Sequence, residues 1–190
     1  MARTGRRPGT SESRAEILDA ARRLFGEKGY DGTTIRAIAR ESGVDPALVH
    51  HFFGTKEHIF VAAMQFPFDP AESLPGVLAG DTDGLGERLV RFFLSVWNDP
   101  ASRDPFLATV RSAATHEHAA ATLREFVSSA LVRRIAGASG RSELHVEAAA
   151  AQLMGLALLR YIVRVEPLAS ADEETVVAMI APTVQRYLTG

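Results

Sequence analysis

Apolar residues recur at helical spacing along most of the chain. Residues 11–28 carry them three and four positions apart, the stripe that an amphipathic helix buries: Ile17, Leu18, Ala21, Leu24 and Phe25. Similar stripes predict further helices over about 56–66, 84–98, 103–115, 117–135, 142–165 and from 170 onward. Prolines and glycines cluster between the stripes, notably over 67–84 and 137–140. The pattern predicts an all-α fold.

One stretch in the first third of the chain predicts two short helices joined by a tight turn. Thr33 or Thr34 is a suitable N-cap for the first helix, because a threonine hydroxyl accepts from free N–H groups of the first turn. Gly43 is suited to the left-handed conformation in which many helices end. Asp45 followed by Pro46 is typical of a new helix start. This arrangement matches the helix-turn-helix, whose second helix enters the major groove of DNA.

The second of these helices has two sides. Leu48 and Phe52 are four residues apart, so we expect them to be the buried pair. The other side then presents the residues that are available to DNA: Pro46, Ala47, Val49, His50 and His51.

About the first third of the chain resembles the TetR-type bacterial transcriptional regulators. The resemblance rests on three segments: ILDAARRLFGEKGYDGTT (Ile17 to Thr34), IRAIARESGV (Ile35 to Val44) and LVHHFFGTKEHIF (Leu48 to Phe60). It implies an N-terminal three-helix helix-turn-helix DNA-binding domain and a C-terminal helical ligand-binding and dimerisation domain. We therefore expect a flexible basic arm over 1–10, a DNA-binding domain over 11–55 and an effector-binding and dimerisation domain over 56–190.

The resemblance also implies which residues contact DNA. By position, Lys56 matches the family's phosphate-binding lysine, His51 matches a phosphate-contacting histidine or tyrosine, and His50 lies where base edges are read. Val49 replaces the family's common tyrosine, which favours apolar contact with thymine methyl groups. Arg36 either contacts the DNA backbone or forms a surface ion pair. The full predicted DNA-binding set is Thr33, Thr34, Arg36, Asp45, Pro46, Ala47, Val49, His50, His51 and Lys56.

Charge and composition add little to this interpretation. The chain has 190 residues, 46% of them hydrophobic, with 21 basic and 23 acidic side chains. The basic excess lies at the front, where Arg3, Arg6 and Arg7 either follow the DNA backbone or form a solvated tail. No apolar stretch follows the polar, basic N-terminus, so we expect no signal peptide. The longest apolar run, Ala148 to Leu159, is too short to span a bilayer. We expect a cytoplasmic protein with no membrane partner.

The helix predicted over 84–98 is apolar around most of its circumference, so it is expected to be buried on several sides. Its bulky aromatic residues suggest either plain core or a cavity for a small apolar or aromatic ligand. The predicted ligand-binding residues are Phe92, Phe93, Trp97, Phe106, Val110, Arg111, Met154 and Tyr161.

Two long helices at the end of the chain are rich in small and apolar residues. Polar residues are too few over 142–165 to supply a solvent-facing side. The resemblance implies that the last two helices pair with those of a second copy, making a homodimer. The alternative is that both helices belong to this chain's own core.

The sequence thus predicts a sequence-specific DNA-binding transcriptional regulator, a repressor released from a palindromic operator by a small ligand. No cysteine and no catalytic or nucleotide-binding motif is present, so we expect neither enzymatic activity, nor a cofactor, nor a bound metal. The alternative is a helical small-molecule-binding protein or enzyme that does not bind DNA.

Overall fold

The computed structural model describes residues 10–190, apart from the side chains of residues 10, 112 and 118. Over this range the chain forms eleven α-helices and no strand: α1 Thr10–Lys28, α2 Ile35–Ser42, α3 Pro46–Phe53, α4 Lys56–Met64, α5 Pro70–Leu78, α6 Leu85–Asn98, α7 Pro100–Thr115, α8 Glu117–Val127, α9 Arg133–Ser139, α10 Glu143–Ala157 and α11 Glu173–Thr189. Two π-helical stretches, Ser128–Val132 and Leu158–Ile162, follow α8 and α10. The predicted all-α fold is confirmed. The predicted arm over 1–10 lies almost wholly outside the described residues.

The described residues divide into two compact units. The first contains the residues up to Phe66 together with Ala108–Phe126, and the second contains Pro67–Leu107 and Val127–Gly190. The first unit therefore includes more of the chain than the DNA-binding domain predicted over 11–55. The boundaries of the predicted DNA-binding domain follow from the family resemblance, and they remain a prediction.

The core of the first unit is built on the predicted stripe of α1. Ile17 and Phe25 are fully buried there, as are Ile59 and Phe60 of α4. The Phe25 and Phe60 rings meet edge to face, with centroids 5.0 Å apart, a geometry that aromatic quadrupoles favour. Arg22 of α1 also donates to the carbonyl of Ala63 at 2.9 Å, which ties the end of α4 to α1.

The core of the second unit lies between α6, α10 and α11. Helices α6 and α11 approach closely at Gly86, where an added Cβ would lie 2.6 Å from the backbone nitrogen of Gln185. The Gly86 N–H donates to Gln185 Oε1 at 2.6 Å. Farther along the same pair, Arg91 donates to both carboxylate oxygens of Glu174, at 2.7 and 2.8 Å. These hydrogen bonds hold the pKa of Glu174 below its usual range.

The boundaries of the last helices differ in detail from the sequence predictions. The helix predicted from 170 onward begins at Glu173, and its N-cap is Asp172, whose carboxylate accepts from the Thr175 N–H at 2.8 Å. Ser170 donates to Glu166. The helix predicted over 142–165 is α-helical only to Ala157. Within the described part of the chain, every helix is too short or too polar to cross a membrane.

Candidate functional site

Helix α2 begins and ends, and helix α3 begins, where the sequence predicts. Thr34 is the N-cap of α2, accepting from the Ala37 N–H at 3.2 Å, and Gly43 ends that helix with φ 70°. Asp45 caps α3 by accepting from the Ala47 N–H at 2.7 Å, with Pro46 in the first turn. Because each end is fixed by a side chain or by a left-handed glycine, the angle between the two helices is well defined.

The buried side of α3 is not the predicted one. Val49 is fully buried and Phe53 nearly so, whereas Leu48 and Phe52 are only partly buried. Both pairs are apolar and four residues apart, so the spacing alone favours neither, and the packing of α3 within the first unit decides between them. The prediction that the Val49 side chain faces DNA is therefore wrong.

The exposed side of α3 carries four of the predicted DNA-binding residues: Pro46, Ala47, His50 and His51. His50 Nδ1 lies 2.8 Å from the Gly54 carbonyl oxygen, which accepts and never donates. Nδ1 therefore carries the proton, and in the neutral ring Nε2 is an acceptor. His50 can thus offer an acceptor to the exocyclic amino group of adenine or cytosine.

The structure places the predicted backbone-contacting residues in three different environments. Thr33 is fully buried, and its hydroxyl bonds to the carbonyls of Leu24 and Gly29, so its side chain is not available to DNA. Thr34 and Arg36 are exposed at the start of α2. Lys56 is partly buried and donates to the Tyr30 carbonyl at 3.0 Å.

Arg14 is a basic residue at this surface that the sequence analysis did not select. It is exposed on α1, and its guanidinium carbon lies 5.3 Å from the centroid of the Phe53 ring, beside the last residue of α3. Its contact partner is 39 positions away in the chain, and no local pattern signals that proximity.

Four of the predicted ligand-binding residues form one aromatic cluster in the second unit. The Trp97 ring is stacked on the Tyr161 ring, with centroids 5.6 Å apart. The ring centroids of Phe93 and Phe106 lie 5.7 and 5.9 Å from the Trp97 centroid. Only 2% of Trp97 is exposed. The Tyr161 hydroxyl donates to Asn98 at 2.8 Å, and burial raises the pKa of Tyr161. The cluster is closely packed, so a ligand would have to displace one of its rings.

The other predicted ligand-binding residues do not join this cluster. Phe92 meets the Phe68 ring edge to face at 4.9 Å, Met154 is partly buried on α10, and Val110 and Arg111 belong to the first unit. An open groove of about 340 Å³ lies between α6 and α11, and none of the predicted ligand-binding residues lines it.

An apolar surface runs along the outer side of α10. Opposite its buried residues, helical spacing aligns six exposed or partly exposed residues without a charge: Leu144, Ala148, Ala151, Gly155, Leu158 and Leu159. Ile162 and Val163 extend this surface through the π-helical stretch, and Met179 of α11 is 68% exposed. We call these nine residues the α10–α11 face. Large apolar side chains gathered on one face are typical of an interaction surface.

Comparison with known proteins assigns the chain to a family. Residues 17–63 match the family model of bacterial regulatory proteins of the tetR family, and residues 83–188, more than half of the chain, match the tetracyclin repressor-like C-terminal domain. The chain belongs to the TetR family. The predicted TetR-type transcriptional regulator is thus confirmed.

Three individual proteins illustrate what the chain is similar to. A crystal structure of a TetR-family regulator from Streptomyces coelicolor A3 is 42% identical, over 98% of this chain and 99% of that one, with a TM-score of 0.55. The multidrug binding protein EbrR, complexed with proflavin, shares the fold at 22% identity over 90% of this chain and 99% of its own, with a TM-score of 0.51. The HTH-type transcriptional regulator BetI of Brucella anthropi is 46% identical over 52 residues, 27% of each chain. This match covers only about a quarter of that curated relative.

Proposed function

We propose that this TetR-family chain is a sequence-specific repressor that reads a palindromic operator as a homodimer. The observation that carries the proposal is the exposed side of α3. Ala47, His50 and His51 are accessible there, while Val49 and Phe53 anchor the opposite side. A rigidly held helix with one free, mixed polar and apolar side has the form that enters a major groove.

The residues of this surface divide into two roles. Thr34 and Arg36, exposed at the start of α2, are suited to phosphate oxygens, which fix the register of the protein on DNA. Ala47 and Pro46 offer apolar contact to thymine methyl groups, and His50 offers an acceptor to a base edge. One N–H of the Lys56 ammonium bonds the Tyr30 carbonyl, and two further donors remain, so we propose that Lys56 contacts a phosphate oxygen while keeping that bond.

We expect selection from random duplex DNA to enrich a palindrome. Two half-sites should lie about 34–36 Å apart, or a multiple of that distance, because the two-fold axis of the protein must coincide with that of the operator. Sequencing of the enriched pool gives the spacing directly. Recovery of single, unrepeated sites, or no enrichment at all, would contradict the proposal.

Replacing His50 with alanine should relax the preference at a particular base pair of each half-site, by about 1–3 kcal/mol. The matched control is Arg36→Ala, which removes a predicted phosphate contact. It should weaken binding to all sequences and reduce the slope of log K against log salt by roughly one per site. Affinities measured on single-base operator variants at several salt concentrations separate the two effects. A uniform loss for both variants would refute base reading by His50.

For the dimer we propose the α10–α11 face as the contact surface. A second copy of the chain is the partner that the closed symmetry of most oligomers favours. The small residues Ala148, Ala151 and Gly155 would let the two α10 helices approach closely, and Leu158 and Leu159 would supply buried apolar area.

For release from the operator we propose a small apolar or aromatic effector bound at the aromatic cluster of Phe93, Trp97, Phe106 and Tyr161. Such a molecule replaces ring-to-ring contacts by equivalent contacts of its own. The effector and the operator then weaken each other's binding by the same factor, as linkage requires.

A further inference from the structure

The turn between α1 and α2, residues 29–33, is fixed by its own hydrogen bonds. Gly29 has φ +74°, and the Thr33 N–H donates to the Tyr30 carbonyl at 3.3 Å. The buried Thr33 hydroxyl bonds to the carbonyls of Gly29 and Leu24, at 2.8 and 3.1 Å. We call these five residues the α1–α2 turn. Thr34, the N-cap of α2, follows directly, so the position of this turn sets where the helix-turn-helix begins.

Helix α8 supplies a carboxylate to the α1–α2 turn. Glu125 Oε2 accepts from the Asp31 N–H at 3.0 Å, across 94 positions of sequence. The same oxygen occupies the space beside Gly29, where an added Cβ would lie 2.7 Å from it. A glycine at 29 therefore serves two purposes, since it adopts the left-handed conformation and admits the carboxylate.

Two neighbouring side chains anchor this end of α8 to α1, to the α1–α2 turn and to α4. The Thr122 hydroxyl donates to the Phe25 carbonyl at 3.0 Å. The fully buried Phe126 ring stacks on Phe60 with centroids 4.2 Å apart and meets Tyr30 edge to face at 5.3 Å. Glu125 is thus carried by a helix that is held firmly just before and just after it.

We propose that Glu125 is a positioning residue through which α8 sets the α1–α2 turn and, with it, the DNA-reading helices. The inference rests on the proposed DNA binding. Phe126 is the last residue of the first unit, and the helix continues into the second unit through the π-helical stretch Ser128–Val132. Short π-helical stretches mark places where a helix departs from regular α-helical geometry, frequently at functional sites. A change in the second unit that shifts α8 moves the carboxylate that holds Asp31.

Folding stability is a poor explanation for this hydrogen bond. Asp31 is exposed, so water would satisfy its N–H if Glu125 were removed. A carboxylate beside the last turn of α1 also lies at the unfavourable end of that helix dipole. The net contribution to the free energy of unfolding is therefore small, and we assign the contact to placing the turn.

The experiment compares four proteins on the operator obtained by duplex selection. Glu125→Ala should bind it about tenfold more weakly than the unmodified protein, with unchanged salt slope, because no phosphate contact is lost. Glu125→Gln should restore most of the affinity, since the amide oxygen still accepts from the Asp31 N–H. Glu117→Ala is the matched control. It removes an exposed carboxylate from the same helix, which forms an ion pair with Arg124 at 3.4 Å.

Hydrogen exchange of the backbone amides over 29–34 is measured on the same proteins without DNA. Amides over 29–34 should exchange faster in Glu125→Ala than in the unmodified protein, and at an unchanged rate in Glu125→Gln and Glu117→Ala. Equal operator affinity of Glu125→Ala and the unmodified protein would overturn the positioning role, as would an equal loss in Glu117→Ala. If the unmodified protein enriches no duplex, the proposed DNA binding is wrong. Unchanged exchange in Glu125→Ala would in that case still overturn the role of Glu125.

Discussion

A glutamate in place of Leu158 is expected to give a folded monomer that binds the operator at least about 100-fold more weakly. Leu158 is 48% exposed in the single chain, so the carboxylate remains hydrated and the fold is retained. In the proposed dimer the same carboxylate would be buried without a partner, which is strongly unfavourable. Loss of the dimer removes the increase in operator affinity that comes from binding two half-sites at once, which is typically a factor of about 10²–10⁴.

The matched control for this variant is Ala150→Glu. Ala150 lies on α10 and, like Leu158 in the π-helical stretch that follows, is exposed, but helical spacing places it to one side of the α10–α11 face. Light scattering gives the oligomeric state, circular dichroism the helix content, and titration of labelled duplex the operator affinity. A Leu158→Glu protein that remains a dimer would move the interface elsewhere. If both variants are monomers, a charge elsewhere on α10 also breaks the dimer, and the result does not support the α10–α11 face as the contact surface.

Local signals in the sequence predict much of the DNA-reading part. The caps Thr34 and Asp45 and the turn glycine Gly43 lie where the sequence places them, because each acts on the backbone within a few residues. Contacts across the chain leave no such signal. The carboxylate of Glu125 at Asp31 and the guanidinium of Arg14 at Phe53 depend on how separate helices pack.

The rotation of α3 about its own axis is likewise not predicted by the local sequence pattern. A helix of eight residues with consecutive apolar pairs has no unique apolar face. Choosing Leu48 and Phe52 in place of Val49 and Phe53 turns the predicted helix by about 100° about its axis. That difference removes Val49 from the DNA surface and keeps His50 and His51 on it.

The sequence predicts the residues of the aromatic cluster but leaves open whether they form plain core or line a cavity. Spacing along α6 brings Phe93 and Trp97 together, and both Tyr161 and Phe106 join them. Hydrophobic pattern does not distinguish a filled cluster from a lined cavity, since both require the same residue types. Deleting the central ring separates the two interpretations.

The Trp97→Ala variant is expected to lose about 3–5 kcal/mol in the free energy of unfolding, because a nearly fully buried indole leaves a cavity behind. An apolar cavity of this kind stays dry and accepts a small aromatic molecule. Indole should therefore restore part of the loss, by about 2.7 kcal/mol at a free concentration 100 times its dissociation constant. Urea unfolding with and without indole measures both quantities.

Operator binding then decides whether the cluster serves regulation. If it is the effector site, occupation by indole should change the operator affinity of Trp97→Ala, and operator should change indole affinity by the same factor. If it is only core, indole restores stability and leaves operator affinity of the folded protein unchanged. Phe92→Ala is the matched control. It truncates an aromatic ring of α6 that packs on Phe68 and not on Trp97, so indole should have no effect on its operator binding.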